Sequence, residues 1–192
     1  MIAIIDYGAG NIRSVQNVLN RLGANNLLTN DPTEIKSADK VILPGVGEAS
    51  TAMNSLKKNG LDQLIPTLTK PFLGICLGLQ VMCRYSEEGD TPCMGIFKVD
   101  VKKFPPKDKV PHMGWNRLNS LSSPILEGVS RNDYVYFVHG FYAESGEETI
   151  GECEYILPFS AALKKDNFYA TQFHPEKSAD VGERILKNFL KL

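Results

Sequence analysis

The run Phe72-Leu73-Gly74-Ile75-Cys76-Leu77-Gly78-Leu79-Gln80 constrains this chain more than any other segment. It opens as an apolar strand, passes through Gly-x-Cys-x-Gly and continues at helical spacing. That is a strand–turn–helix elbow with a thiol where Gly-x-Ser-x-Gly hydrolases carry a hydroxyl. So sharp a turn predicts a strained, exposed side chain at position 76. The flanking glycines avoid the clash that a Cβ would make there. The helix after the turn aims its N-terminus, the positive end of its dipole, at the sulfur. At this point Cys76 has two readings: a nucleophile, or a buried structural cysteine beside two packing glycines.

The rest of the first half repeats the strand–helix alternation. Ile2–Asp6 reads as a buried strand ending in the turn Tyr7-Gly8-Ala9-Gly10, with Asn11 able to cap the next segment. Ile12, Val15, Val18, Leu19 and Leu22 recur at helical spacing, and Gly23 stops the helix. Val41–Leu43 is a short strand ending at Pro44-Gly45-Val46-Gly47. Helical patterns come next at Ala49–Lys58 and Leu61–Thr69, then the strand Phe72–Cys76 and a helix over Leu77–Tyr85. Such alternation argues for parallel βαβ units. The second half changes character. Gly95–Phe104, Asn116–Ser120, Tyr134–Val138, Thr149–Tyr155, Ser160–Lys164 and Tyr169–Phe173 read as short strands between turn-forming residues, and Ala179–Leu192 as a closing amphipathic helix. The expected fold is one α/β domain over residues 1–192: a mostly parallel central sheet with flanking helices, flavodoxin-like, plus an antiparallel extension.

Bulk properties narrow the function classes. The 192 residues suffice for one well-packed core. A formal net charge of −1 gives no electrostatic case for nucleic acid or an anionic membrane surface. There is no long apolar run for a membrane span, and the N-terminus has no basic leader. Cys76, Cys83, Cys93 and Cys153 form no Cys-x-x-Cys pair and have no histidine at metal-ligand spacing. Free thiols in a reducing cytoplasm are the natural reading, and neither a metal nor a cofactor is expected.

A cysteine nucleophile needs a base, and the base needs an orienting group. His174 lies in Gln172-Phe173-His174-Pro175-Glu176, just after a predicted strand. Pro175 stiffens the turn and Glu176 can fix the imidazole tautomer. His112, in Val110-Pro111-His112-Met113-Gly114-Trp115-Asn116, reads as a loop histidine packed against the only tryptophan, or as part of a binding surface. His139 reads as a structural histidine at a strand end. Pro44-Gly45-Val46-Gly47 closes a parallel strand, at the edge where such sheets bind ligands, and its amides could form an oxyanion hole. It is not a phosphate loop, since no Gly-Lys-Ser/Thr comes after it. Tyr7-Gly8-Ala9-Gly10-Asn11 lacks the third glycine of a dinucleotide fingerprint.

Taken together, Pro44–Gly47, the Cys76 elbow and His174-Pro175-Glu176 resemble class I glutamine amidotransferases in order and spacing across nearly the whole chain. Asp6–Asn11, Pro111–Asn116 and His174–Ser178 are similar to the glutaminase subunits of imidazole glycerol phosphate synthase in histidine biosynthesis. The resemblance implies that Cys76 attacks the γ-amide of glutamine, that His174 moves the proton and that Glu176 orients His174. It implies oxyanion donors at the Val46 and Leu77 amides. It implies a glutamine site at Gly47, Gln80, Glu88, Gly140 and Phe141. It further implies a (β/α)8-barrel cyclase as heterodimer partner, which receives the ammonia, with Asn11, Trp115, Tyr136 and Lys177 at the interface. Where the family usually has a hydroxyl residue and then tyrosine after Tyr-Phe-Val-His, this chain has Gly140-Phe141. Three alternatives remain: a paralogous subunit feeding a sugar-modifying amidotransferase, a non-catalytic regulatory subunit, and a stand-alone hydrolase.

Overall fold

The computed structural model describes residues 1–8 and 12–192, with Ser120 and Leu121 described by their backbone alone. The first half supplies β1 (Ile2–Ile5), α1 (Ile12–Arg21), β2 (Asn26–Thr29), α2 (Pro32–Ser37), β3 (Lys40–Leu43), α3 (Ala49–Lys58), α4 (Leu61–Leu64), β4 (Phe72–Ile75) and α5 (Leu77–Met82). The second half supplies β5 (Tyr85–Ser86), β6 (Thr91–Pro92), β7 (Asp100–Lys103), β8 (His112–Arg117), β9 (Ser120–Leu121), β10 (Tyr134–His139), β11 (Phe141–Ala143), β12 (Thr149–Tyr155), β13 (Leu157–Lys165), β14 (Phe168–Thr171) and α6 (Ala179–Lys191).

The central strands run β2-β1-β3-β4-β14, every neighbouring pair parallel. Beyond β14 the sheet turns antiparallel through β13 and β11 to β7. This is the expected mostly parallel α/β sheet with an antiparallel extension. Apart from it, β8 and β10 form a two-stranded antiparallel ribbon that pairs Trp115 with Tyr136 and His112 with His139.

The inner parallel strands β1 and β4 are apolar and fully buried because both of their faces are covered. Ile2 and Ile4 of β1 pack on one face with Ile12, Val15, Val18 and Leu19 of α1 and Ile185, Leu186 and Phe189 of α6. Ala3 and Ile5 pack on the other with Ile35 of α2, Ala52, Met53 and Leu56 of α3, and Leu77 and Leu79 of α5. The α1 spacing read from the sequence is the spacing of its buried residues. Gly23, at φ +70, ends that helix, and the Ala24 amide returns to the Leu19 carbonyl.

Several boundaries differ from expectation, four of them for a plain local reason. The helix expected to run to Tyr85 stops at Met82. There the amides of Ile96 and Phe97 take the Met82 carbonyl, and that of Gly95 takes Cys83. The same bonds keep residues 95–99 from being strand, so only Asp100–Lys103 of the expected Gly95–Phe104 pairs in the sheet. The Leu61–Thr69 pattern becomes α4 and then a 3-10 turn, Ile65–Thr67, because Pro66 has no amide hydrogen for the helical ladder. The strand expected at Asn116–Ser120 begins at His112, since the ribbon pairing with β10 starts there.

All helices among the described residues are too short or too polar to cross a membrane. The elbow's strictest demand on packing falls at Gly78. A Cβ on Gly78 would be driven into the Leu43 carbonyl oxygen and lie 3.1 Å from the Leu43 carbonyl carbon. Backbone cannot yield as a flexible side chain can. Gly78→Ala should therefore cost about 3 kcal/mol in urea unfolding, the upper range for overpacking. Gly140→Ala, whose Cβ meets nothing closer than Val110 Cγ1 at 3.8 Å, should unfold at nearly the unmodified urea concentration.

Candidate active site

The loops after β1, β3, β4 and β14 emerge at the carboxyl edge of the parallel strands, the edge that binds ligands in open α/β sheets. Cys76 sits there at φ 54 and ψ −106, between β4 and α5. A non-glycine residue in that conformation is strained and persists only where its surroundings hold it. Here the Cys76 amide donates to the Thr171 carbonyl at 2.7 Å. A Cβ on Gly74 would meet Met82 Sδ at 2.5 Å and the Gly78 backbone at 2.9 Å. The strain is as expected, but the exposure is not: Cys76 is only 7% exposed. The Val138 carbonyl, 3.9 Å from its sulfur, and the Gln172 side chain roof it over.

His174 lies just after β14, and its amide donates to the Tyr136 carbonyl at 2.9 Å. Ser178 locks the turn: its hydroxyl donates to the His174 carbonyl and accepts from the Tyr136 amide. His174 Nδ1 lies 2.8 Å from Glu176 Oε1, with both side chains almost fully buried. A carboxylate there makes Nδ1 the protonated nitrogen. Nε2 has no hydrogen-bond partner among the described residues. Burial opposes a charge on His174, but Cys76 and Glu176 together outweigh it and push the imidazole up to about 10.

A cavity of about 230 Å³ opens over the sulfur, with room for one amino-acid-sized ligand. Val46, Gly47, Cys76, Leu77, Gln80, Glu88, Gly140 and Phe141, all picked out from the sequence, line it. Val138 and His139 line it as well. Val138 carried no chemical signal, because it enters through its main chain. Glu88 accepts from the Ala49 amide at 2.8 Å, and burial holds its carboxyl above the usual carboxylate range. Gln80 spends its amide nitrogen on the Phe141 carbonyl at 3.1 Å and on Gln172 Oε1 at 3.0 Å.

The interface candidates separate from this cavity. Trp115, Tyr136 and Lys177 gather on the outer face of the ribbon. The Trp115 and Tyr136 rings are 5.8 Å apart, and Lys177 Nζ stands 6.0 Å from the Tyr136 ring centre. Trp115 is 53% exposed and Met113 61%. Asn11 lies outside the described residues. His112 is not a loop histidine against the tryptophan. It is a buried strand residue stacked on Tyr155 at 4.0 Å and on Phe137 at 4.8 Å, because alternation on β8 turns it inward and Trp115 outward.

The model of the glutamine amidotransferase class-I family matches residues 3–192. The chain is 58% identical over 194 residues to imidazole glycerol phosphate synthase subunit HisH of Bacteroides fragilis strain YCH46, covering 100% of this chain and 99% of that one. It is 48% identical to subunit HisH 2 of Legionella pneumophila strain Paris, covering 100% and 98%. Among solved structures it is similar to a glutamine amidotransferase from Thermotoga maritima, with a TM-score of 0.67 at 16% identity over 99% of this chain and 82% of that one. At that identity the likeness concerns the fold.

Buried histidines give the fold a pH dependence. Burial lowers His112 to about 4, and it lowers His139 to about 3 with the help of the neighbouring imidazoles. Unfolded histidine titrates near ~6.5. As pH falls below that, the unfolded chain takes up protons that these two folded histidines refuse, so their contribution to stability is full above ~6.5 and declines toward pH 4. The contribution of His174, whose affinity is raised, stays complete throughout this window. The melting temperature should fall steadily from pH 6.5 to pH 4, and His139→Gln should flatten that slope in a calorimetric series.

Proposed function

This chain belongs to the class-I glutamine amidotransferase family, and on that footing we propose that it hydrolyses glutamine to glutamate and ammonia as the glutaminase subunit of imidazole glycerol phosphate synthase. The observation that carries the reading is the buried alignment of Cys76, His174 and Glu176 beneath an amino-acid-sized cavity. In this reading the Cys76 proton passes to His174 Nε2, whose raised proton affinity favours the ion pair, and the sulfur then attacks the γ-amide carbon. The amides of Val46 and Leu77 receive the charge on the tetrahedral oxygen. His174 then protonates the departing nitrogen, ammonia leaves and a thioester remains. Water, deprotonated by His174, cleaves the thioester to glutamate and restores the thiol. Glu176 holds the imidazole in the tautomer that keeps Nε2 free to accept. The domain is read as residues 1–192, and the ligand termini are held by Glu88, the Gln80 side-chain oxygen and the main chain at Gly47, Gly140 and Phe141.

The ammonia is read as passing to a cyclase subunit of (β/α)8-barrel form, docked on the face with Trp115, Tyr136 and Lys177, in the cytoplasm. The reading is supported by the two relatives named as synthase subunits and by an aromatic, cationic outer face on the ribbon that borders the cavity. The Gly140-Phe141 departure does not weaken the glutamine site on this reading, since the contacts there are main-chain.

In the reconstituted complex, Cys76→Ala should abolish glutamine-dependent synthesis yet leave ammonia-dependent synthesis intact. Retained glutamine turnover would refute the nucleophile, and loss of both activities would point to a structural role for Cys76. Glu176→Gln should keep more glutaminase activity than His174→Ala, because a neutral acceptor still holds Nδ1–H. The double variant should be little worse than His174→Ala, as for groups that act as a unit. Losses that multiply would refute the unit.

A further inference from the structure

A chain of buried amides and imidazoles reaches the Cys76 sulfur, and its donors can be assigned without ambiguity. The Phe141 carbonyl can only accept. It takes the Gln80 amide nitrogen at 3.1 Å and His139 Nδ1 at 2.7 Å. That fixes the Gln80 amide, whose second N–H reaches Gln172 Oε1 at 3.0 Å. Gln172 is fully buried. With Oε1 committed to Gln80, its Nε2 must face Cys76 Sγ, 3.6 Å away. A flipped Gln172 would set nitrogen against nitrogen at Gln80 and oxygen against sulfur at Cys76.

We propose that Gln172 is a further positioning residue of the reaction, whose side-chain N–H donates to the Cys76 sulfur and holds it at the cavity floor as its negative charge develops. The inference rests on Cys76 being the nucleophile. Donors to an ionised acceptor are among the stronger hydrogen bonds. The strained backbone at Cys76 aims the sulfur, and the Val138 carbonyl stands 3.9 Å from it, but a carbonyl can only accept and gives a developing negative charge no donor. Gln172 supplies that donor, from a residue that does not line the cavity. Other groups also face the sulfur or its cavity. His174 does so with Glu176 behind it; Tyr7, at the end of β1, is near enough for its phenol to sense a thiolate; and Glu88 and His139 stand on the cavity wall. Of these, His174 is the proton acceptor, and Gln172 is the neutral donor that persists at every pH.

The test is the rate of Cys76 alkylation by iodoacetamide against pH, tracked by peptide mass spectrometry in the full chain. Gln172→Met keeps the volume and removes the donor. Its profile should move up by about one pH unit, so that alkylation is roughly tenfold slower below the midpoint. A packing defect alone would lower the melting temperature without moving that profile. An unmoved profile in folded Gln172→Met, with Cys76→Ala inactive toward glutamine, would overturn this inference and leave the nucleophile standing. Glutamine turnover by Cys76→Ala would overturn both. The unsubstituted chain gives a second measure that needs no variant to fold. Its Gln172 side-chain amide resonances should shift with pH in step with the alkylation profile, and resonances that stay fixed through it would overturn the inference.

Discussion

The close approach of Gly78 to the Leu43 carbonyl is the constraint on which the site depends. It lets the first turn of α5 lie directly against the end of β3, and so brings the Leu77 amide beside Val46 and Gly47 in one cavity wall. The same approach leaves Cys76 no relaxed conformation, because β4 ends and α5 begins within a single residue. The resulting φ of 54 is sustained by the Cys76–Thr171 hydrogen bond on one side and by Leu77 in the apolar core on the other. Strain of this kind costs about 1–3 kcal/mol, and the continuous packing of β3, β4 and α5 offsets it.

The electrostatics derive from burial. A carboxylate, an imidazole and a thiol share a nearly dry space, where a lone charge would be prohibitive. Any two of them in opposite charge states stabilise each other, which is why His174 holds its proton more tightly despite burial. His112 and His139 show the converse. They have only each other and main-chain or amide partners, and burial keeps them neutral. Histidines in one small domain thus divide by partner: the one with a carboxylate carries charge, and the pair without one carries structure.

The parallel half of the fold was legible because its signals are local. The spacing of Ile12, Val15, Val18 and Leu19, the stop at Gly23 and the apolar β1, β3 and β4 all act within one element. What escaped was set by distant partners. The end of α5 depends on the amides of Gly95, Ile96 and Phe97 closing over it, which no local pattern at Tyr85 announces. β2 lies at the edge of the sheet and is only partly buried, so its apolar signal was weak. At the site, the elbow and His174-Pro175-Glu176 stood out because their chemistry is written in residue type. Val138 did not, since it acts through a carbonyl that every residue possesses. Gln172 was in view inside its motif, but its part depends on the Phe141 carbonyl, far off in sequence, fixing the Gln80 amide.

That carbonyl also limits how a ligand is read. The Gln80 and His139 donors engage the Phe141 oxygen at the same time, so both of its lone pairs are taken. A ligand ammonium cannot use it without releasing one of them, and release of Gln80 would also free Gln172 from its orientation toward the sulfur. Among the cavity-lining side chains, the Glu88 carboxylate and the Gln80 side-chain oxygen remain as acceptors that a cationic end could use without disturbing the chain behind them. The hydrogen-bonded wall that carries His139 continues through His112 to Asn116, next to Trp115 on β8. Tyr136, paired with Trp115 across the ribbon, holds His174 and Ser178 through its main chain. The exposed aromatic face and the buried sulfur are thus two sides of one hydrogen-bonded ribbon, and a displacement of β8 against β10 must be absorbed at His174, at Phe141, or at both.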